Sequence, residues 1–388
     1  MKVLHCITGL SGDGAQRMLL RLAKGLSPLG IESCVVSLRS DGELAHAFCA
    51  SGIRVEMLSM EGVKGVVPAF VRLRRLIRGW QPDLVQGWMY HANVVATAAR
   101  DLSGSTAPVC WNVRRGLDDF KARKRSTQSI IQASRWMSRR AAHIVYCSHT
   151  SREQHTRIGF ADSRTSVMGN GFDTERFAPS ESVRREMREA LGFKSSDFVV
   201  GTFGRYDVAK GHRYLLDAFV QVAERAAHMK LLLVGRGLGP GNSALSLADF
   251  PEHVRTRIHV ERERDDIERL YPALDLYCSP SISEGFPNVV GEAAASGLPI
   301  LASDTGATAE LVWGSGIVVR PRSVSELARG LTQLVCEDEG TRRRRGERAR
   351  QRIIDSYSLG AVVRAYERLY TSLLGDSGAP GTSAEAAQ

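Results

Sequence analysis

The stretch PALDLYCSPSISEGFPNVVGEAAASGLPILASDTGATAELV, residues 272–312, sets the reading of the whole chain. DLYCSPS (275–281) is a short apolar run ending in Pro and Ser, and it reads as a strand. NVVGEAAASG (288–297) is helix-forming and closes on a glycine. PILASD (299–304) is a second strand. A strand, a helix and a strand in succession predict a parallel pair joined by a crossover.

The same alternation runs outward in both directions. Upstream, KVLHCIT (2–8), ESCVVSL (32–38), RVEMLS (54–59), PDLVQGW (82–88), PVCWNVR (108–114) and HIVYCS (143–148) read as strands. Amphipathic stretches separate them, among them QRMLLRLAKGLSPLG (16–30) and VVPAFVRLRRLIRGW (66–80). Residues 165–197 break the pattern with Gly, Asn, Pro and Ser and then a charged helix. Alternation resumes at FVVGTFGR (198–205), MKLLLVGRG (229–237) and VRTRIHV (254–260), and GIVVRP (316–321) is the last strand. Two helices, 341–357 and 359–375, close the ordered chain. The expected architecture is α/β, with two doubly wound, Rossmann-like domains facing each other across a cleft.

Composition is that of a soluble globular protein: 43% hydrophobic and 24% charged over 388 residues. No apolar run is long enough to span a bilayer. The start of the chain lacks the extended apolar core of a signal peptide. Seven cysteines in mostly apolar surroundings, without zinc-like spacing, predict buried thiols in a reducing cytosol. The net charge of +10 is unevenly placed. Residues 1–170 hold 24 Lys and Arg against 12 Asp and Glu, and the remainder holds 28 against 30. Nucleic acid is disfavoured, because the basic stretches carry few aromatics and no recognised binding fold is present. An anionic membrane surface suits the basic amphipathic stretch VRLRRLIR (71–78) better, although such a helix also packs on a sheet in the ordinary way.

Four clusters are candidates for chemistry. Glu284 and Glu292 flank seven residues, the first in a Gly-Pro loop after a strand and the second just inside a helix. Loop N–H groups and a helix start favour an anion there, and a carboxylate can accept from sugar hydroxyls. The plainer alternative is a solvated Glu284 and a first-turn Glu292 favouring the helix dipole. Arg205 and Lys210 bracket a loop that follows another strand, and two cations there suit a diphosphate. GLSGDGAQ (9–16) places glycines between the first strand and first helix, without the dinucleotide spacing. His91 stands between a strand and a helix, where imidazole can hold a hydroxyl or move a proton.

Together these pieces resemble retaining glycosyltransferase family 4 (group 1), enzymes of the GT-B fold. Residues 272–312 resemble the family's E-x7-E block, GRYDVAKGH (204–212) its Arg and Lys-Gly pair, and VMGNGFDTERFAP (167–179) its interdomain segment. GWMYHAN (87–93), followed by WNVRR (111–115), resembles acceptor-domain segments of members that build lipopolysaccharide, capsule or exopolysaccharide, and the closing SYSLGAVVRAYERLYTSLL (356–374) is similar to the family's closing pattern. Gly169 stands where the family carries proline, Arg262 where it carries glycine, and GDGAQ where it carries G-G-A-E.

The resemblance implies an acceptor domain over 1–170, a linker and helix over 171–196, and a donor domain over 197–358. It also implies a final helix near 359–374 packed back on the first domain, while composition makes 375–388 a disordered tail. Arg205 and Lys210 would neutralise the donor diphosphate, with Gly204 beside them. Glu284 would contact the donor sugar, Gly285, Phe286, Pro287, Asn288 and Val289 would line sugar and phosphate, and Glu292 would hold the ribose. Gly12, Gly14 and Arg114 would lie near donor phosphate or acceptor, and His91 near the transferred sugar.

No metal and no cofactor are expected. The expected partners are a UDP- or GDP-sugar, a lipid-linked or glycan acceptor, and the cytoplasmic face of the inner membrane. The rival readings are a GT-B nucleotide-sugar epimerase and a non-catalytic protein of this fold. The epimerase would need facing acid and base carboxylates in the first domain, where Asp118 and Asp119 are the only adjacent acids noted.

Overall fold

Strands β1 (Lys2–Ile7), β2 (Glu32–Ser37), β3 (Arg54–Met57), β4 (Leu84–Trp88), β5 (Val109–Val113), β6 (His143–Tyr146) and β7 (Thr165–Val167) form one sheet. Its order is β3-β2-β1-β4-β5-β6-β7, and every pair is parallel. Helices α1 (Gly14–Leu26), α2 (Ala45–Ala50), α3 (Gly62–Trp80), α4 (Met89–Ser103), α5 (Arg125–Met137) and α6 (His149–Arg157) connect them. This computed structural model describes residues 1–40, 42–118, 120, 125–239, 241, 242 and 245–375. Of the tail expected over 375–388, Gly375 is helical instead, and the residues from 376 onward, like Asp119, lie outside the described residues.

The chain divides into two units: Met1–Gly171 with Leu359–Gln388, and Phe172–Ser358. The second holds α7 (Glu181–Ala190), β8 (Phe198–Phe203), α8 (His212–Ala223), β9 (Met229–Val234), α9 (Glu252–Arg255), β10 (Ile258–Glu261) and α10 (Ile267–Leu270). It continues with β11 (Leu276–Ser279), α11 (Asn288–Ala295), β12 (Ile300–Ser303), α12 (Thr308–Leu311), β13 (Ile317–Val319), α13 (Val324–Cys336) and α14 (Glu339–Tyr357). Its sheet runs β10-β9-β8-β11-β12-β13, again parallel throughout.

Period-two alternation explains the double burial. In β1, Leu4 and Cys6 join one core with Leu73, Ile77, Ala92 and Ala96 from α3 and α4. Val3 and Ile7 join the opposite core with Leu19 and Leu22 of α1. Helix α15 (Leu359–Gly375) belongs to that second core through Val362, Tyr366 and Tyr370. Two hydrogen bonds fix it there: Asn112 donates to the Tyr366 hydroxyl at 2.8 Å, and the Tyr370 hydroxyl donates to Gln86 Oε1 at 2.6 Å.

Five elements differ from the sequence reading, two of them the four-residue helices α9 and α12. Helix α13 was not among the helices read, although Ser323 caps it by accepting from the Glu326 N–H and Leu327, Leu331 and Leu334 form its buried stripe. Helix α6 was also passed over, because its mean hydropathy is low and its apolar periodicity weak. Strand β7 has three residues, too few for an alternation to show. Of the seven cysteines, all free, Cys49 and Cys336 are exposed and the other five are buried.

Candidate functional site

In a parallel sheet the strand order reverses at one place, and the loops there diverge to leave a crevice at the carboxyl ends. In Phe172–Ser358 that place lies between β8 and β11, whose neighbours β9 and β12 sit on opposite sides. The loop after β8 carries Gly204, Arg205 and Lys210, and the loop after β11 carries Glu284 to Pro287. Strand order therefore brings together two segments that the sequence keeps 74 residues apart.

The two loops interlock. Asp207 caps a single 3-10 turn, Val208–Lys210, by accepting from the Ala209 N–H at 2.9 Å. The Ile282 N–H donates to Ala209 O at 2.7 Å. Gly211 has φ of 68°, and a Cβ there would lie 2.1 Å from Pro280 O, so only glycine permits the approach. Lys210 Nζ then donates to Glu284 Oε1 at 2.7 Å, and Ser281 Oγ donates to the same oxygen at 2.7 Å. The pair is largely withdrawn from water, with side chains 24% and 11% exposed. Losing one member of such a pair strands the other charge, which costs roughly 3–5 kcal/mol when burial is complete and less here.

Arg205 is more open and lies 3.4 Å from Asp207 Oδ2. Glu292 sits in the second turn of α11 rather than its first, and it is buried. Its Oε2 accepts from the Tyr271 hydroxyl at 3.1 Å. Burial, then the Glu292 charge, raises the Tyr271 pKa well above the phenol range, so that hydroxyl keeps its proton. Among the described residues no side-chain cap hydrogen bond is made by Pro287, which precedes Asn288 and Val289 at the start of α11. The Gly285 carbonyl accepts from the Ala307 N–H at 3.2 Å. The Phe286 ring is nearly buried rather than turned to solvent. His212, the first residue of α8, is buried and stacked on Tyr206; burial and then Lys210 lower its pKa to about 4.

The candidates in the other unit surround the reversal between β1 and β4. Gly14 opens α1, and the Gly12 N–H is taken by Glu43 Oε2 at 3.1 Å. His91 is exposed in the first turn of α4, just beyond Met89, whose φ is 69°. Arg114 is buried and committed internally. It donates to Met168 O at 2.7 Å, to Asn112 Oδ1 and the Tyr366 hydroxyl, and to Asn170 Oδ1. It fastens the end of β5 to the chain after β7 and to α15, a role that sequence did not distinguish from phosphate binding. Ser281 and Tyr271, which hold the two glutamates, were also missed. The serine three residues before Glu284 was the one available signal. Among the described residues no three His, Cys, Asp or Glu side chains gather to hold a metal.

Comparison with known proteins places this geometry in context. Residues 12–176 match the family described as Glycosyltransferase Family 4, and residues 197–337 match Glycosyl transferases group 1. EpsF of Bacillus subtilis (strain 168), named as a glycosyltransferase, is 26% identical over 330 residues, 82% of this chain and 83% of its own. The lipopolysaccharide core biosynthesis mannosyltransferase LpsB of Rhizobium meliloti (strain 1021) is 33% identical over 158 residues, 40% of this chain and 45% of LpsB. Anabaena Alr3699/HepE, solved in complex with UDP, superposes with a TM-score of 0.83 at 22% identity, covering 96% of this chain and all of HepE. HepE has also been solved with UDP-glucose. Two family matches that together span both units, joined to that common fold, identify the chain as a glycosyltransferase of family 4 (group 1) with the GT-B architecture.

Proposed function

We propose that the protein transfers a hexose from a UDP- or GDP-sugar to a lipid-linked or polysaccharide acceptor, with retention of anomeric configuration, in cell-surface polysaccharide synthesis. The observation that carries this reading is the Lys210–Glu284 pair at the strand-order reversal, held by Ser281 and by the interlocked loops. HepE's complexes with UDP and UDP-glucose support a nucleotide-sugar donor, and LpsB's role in lipopolysaccharide supports a glycan product.

The residues divide the work by chemistry. Arg205 and Lys210 neutralise the departing diphosphate as positive charge develops on the sugar. When Lys210 turns to phosphate, Glu284 is released to accept from a sugar hydroxyl while Ser281 keeps its place. Glu292, aimed by Tyr271, accepts from the ribose hydroxyls. Gly204 and the 285–289 segment, with the start of α11, supply N–H groups to sugar and phosphate. Preorganised donors of this kind contribute about 3–4 kcal/mol apiece to such a transition state. No metal enters the scheme, because cations and the helix terminus provide the positive charge. His91 meets the transferred sugar, and the loop at Gly12 and Gly14 meets phosphate or acceptor once Glu43 gives way.

The acceptor unit also suits the cytoplasmic face of an anionic membrane. Helix α3 presents Lys64, Arg75 and Arg78 at helical spacing around Val67, which is 69% exposed. None of these three cations forms an ion pair among the described residues. No helix among the described residues is long and apolar enough to cross the membrane.

A thermal-shift screen with UDP-, GDP- and ADP-sugars tests the donor assignment. A large shift with one nucleotide names the base, and no shift with any of them would overturn the reading.

A further inference from the structure

Phe172 is wholly buried and is the first residue of the second unit. Its ring stacks on Phe286, with centroids 6.1 Å apart and planes at 24°. Phe286 also packs against Tyr357, at 5.9 Å and 58°. Tyr357 and Ser358 are the last residues of the same unit. The two chain crossings are themselves joined: the Phe172 N–H donates to Tyr357 O at 2.8 Å, and Phe172 pairs with Ser358 in a parallel bridge. The tip of the Phe172 ring lies against Gly291, where a Cβ would come within 2.0 Å of Cζ. One side chain thus touches the residue two beyond Glu284 and the residue just before Glu292.

We infer that Phe172 is a positioning residue for nucleotide binding, setting the place of both glutamates from the segment where the chain enters the unit. The inference rests on the donor site proposed above. The physical reason is that hydrogen bonds tie the loop at Ile282, Glu284 and Gly285, while its apolar anchor, Phe286, takes its position from what it packs on. Helix α11 takes its depth from the same ring, because only glycine at 291 lets it approach so closely. Since Tyr357 also packs on Phe286, the loop touches residues from both crossings.

Isothermal titration of the full chain with UDP and, separately, GDP tests this. Phe172→Leu removes the ring and should weaken nucleotide binding at least tenfold with helix content retained. Gly291→Ala drives a methyl into the ring and should also weaken it. The double variant should bind better than Gly291→Ala alone, because leucine lacks the atom that the methyl meets. Phe250→Leu, a near-buried ring of the same unit that packs beside Arg213, should lower Tm without changing nucleotide affinity. Phe172→Leu binding within twofold of the unaltered protein, or losses that simply add in the double variant, would overturn the inference. Unaltered protein that binds neither UDP nor GDP would instead overturn the donor reading beneath it.

Discussion

The two sheets reverse their strand order in the same way, yet the loops at the two reversals are built differently. Between β8 and β11 opposite charges meet inside interlocked loops, and a serine and a tyrosine aim the carboxylates. Between β1 and β4 the glycine loop is filled by the exposed carboxylate of Glu43, and His91 stands open. A nearby arginine, Arg114, is committed to holding the unit together. The difference teaches that topology supplies a crevice and side-chain chemistry decides what it is ready for. One loop cluster holds a preformed ion pair and the other a glycine loop taken up by a surface carboxylate, a contrast that fits the donor and acceptor roles proposed above.

The strongest way to break that contrast is to remove the charge pair. Lys210→Ala and Glu284→Ala should each lower kcat by a hundredfold or more, with circular dichroism unchanged. Near-normal turnover in both variants would mean that the prearranged crevice is not the reacting one.

Acid should expose a likeness between the units. His5 in the first and His212 in the second are both buried, and burial lowers each pKa from 6.5 to about 4. The unfolded chain therefore binds protons first as pH falls. The stability each neutral ring contributes is complete above about pH 6.5 and is lost on the way to pH 4, by up to roughly 3 kcal/mol per histidine. Urea titrations across that range should show the loss, and His212→Gln should remove about half of it. An acid profile that the substitution leaves unchanged would place the sensitivity elsewhere.

The smallest effect concerns charge. Residues 1–170 carry the positive excess, and Arg75→Glu with Arg78→Glu reverses two charges of the α3 stripe. Each cation lost near an anionic surface costs about 1 kcal/mol, so co-sedimentation with phosphatidylserine vesicles should weaken severalfold or more. Equal binding of both forms to anionic and neutral vesicles would remove the membrane from the account of the first unit.

Much of the fold was legible because strands buried on both faces read as unbroken apolar runs, such as FVVGTF and KVLHCI. Glu284 and Glu292 were legible because a carboxylate in a Gly-Pro loop, and another in an otherwise small and apolar helix, are unusual. Arg114 reads in sequence as an acceptor or phosphate candidate, and its partners in the fold, Met168, Asn170 and Tyr366, lie far along the chain, where no local window shows them. Phe172 gave no signal at all, since an apolar residue after Asn-Gly reads as an ordinary linker position.

By itself, then, the sequence determined the alternation of strand and helix, the break near residue 170 and the residue types at each strand's carboxyl end. These follow from local periodicity and turn chemistry, which neighbouring residues settle among themselves. Only the tertiary structure decided that Lys210 meets Glu284, that Tyr271 aims Glu292, that Glu43 fills the glycine loop and that Phe172 packs on both Phe286 and Gly291. Those contacts depend on strand order and helix depth. Both are set by burying whole faces against one another, and no local window of sequence contains that information.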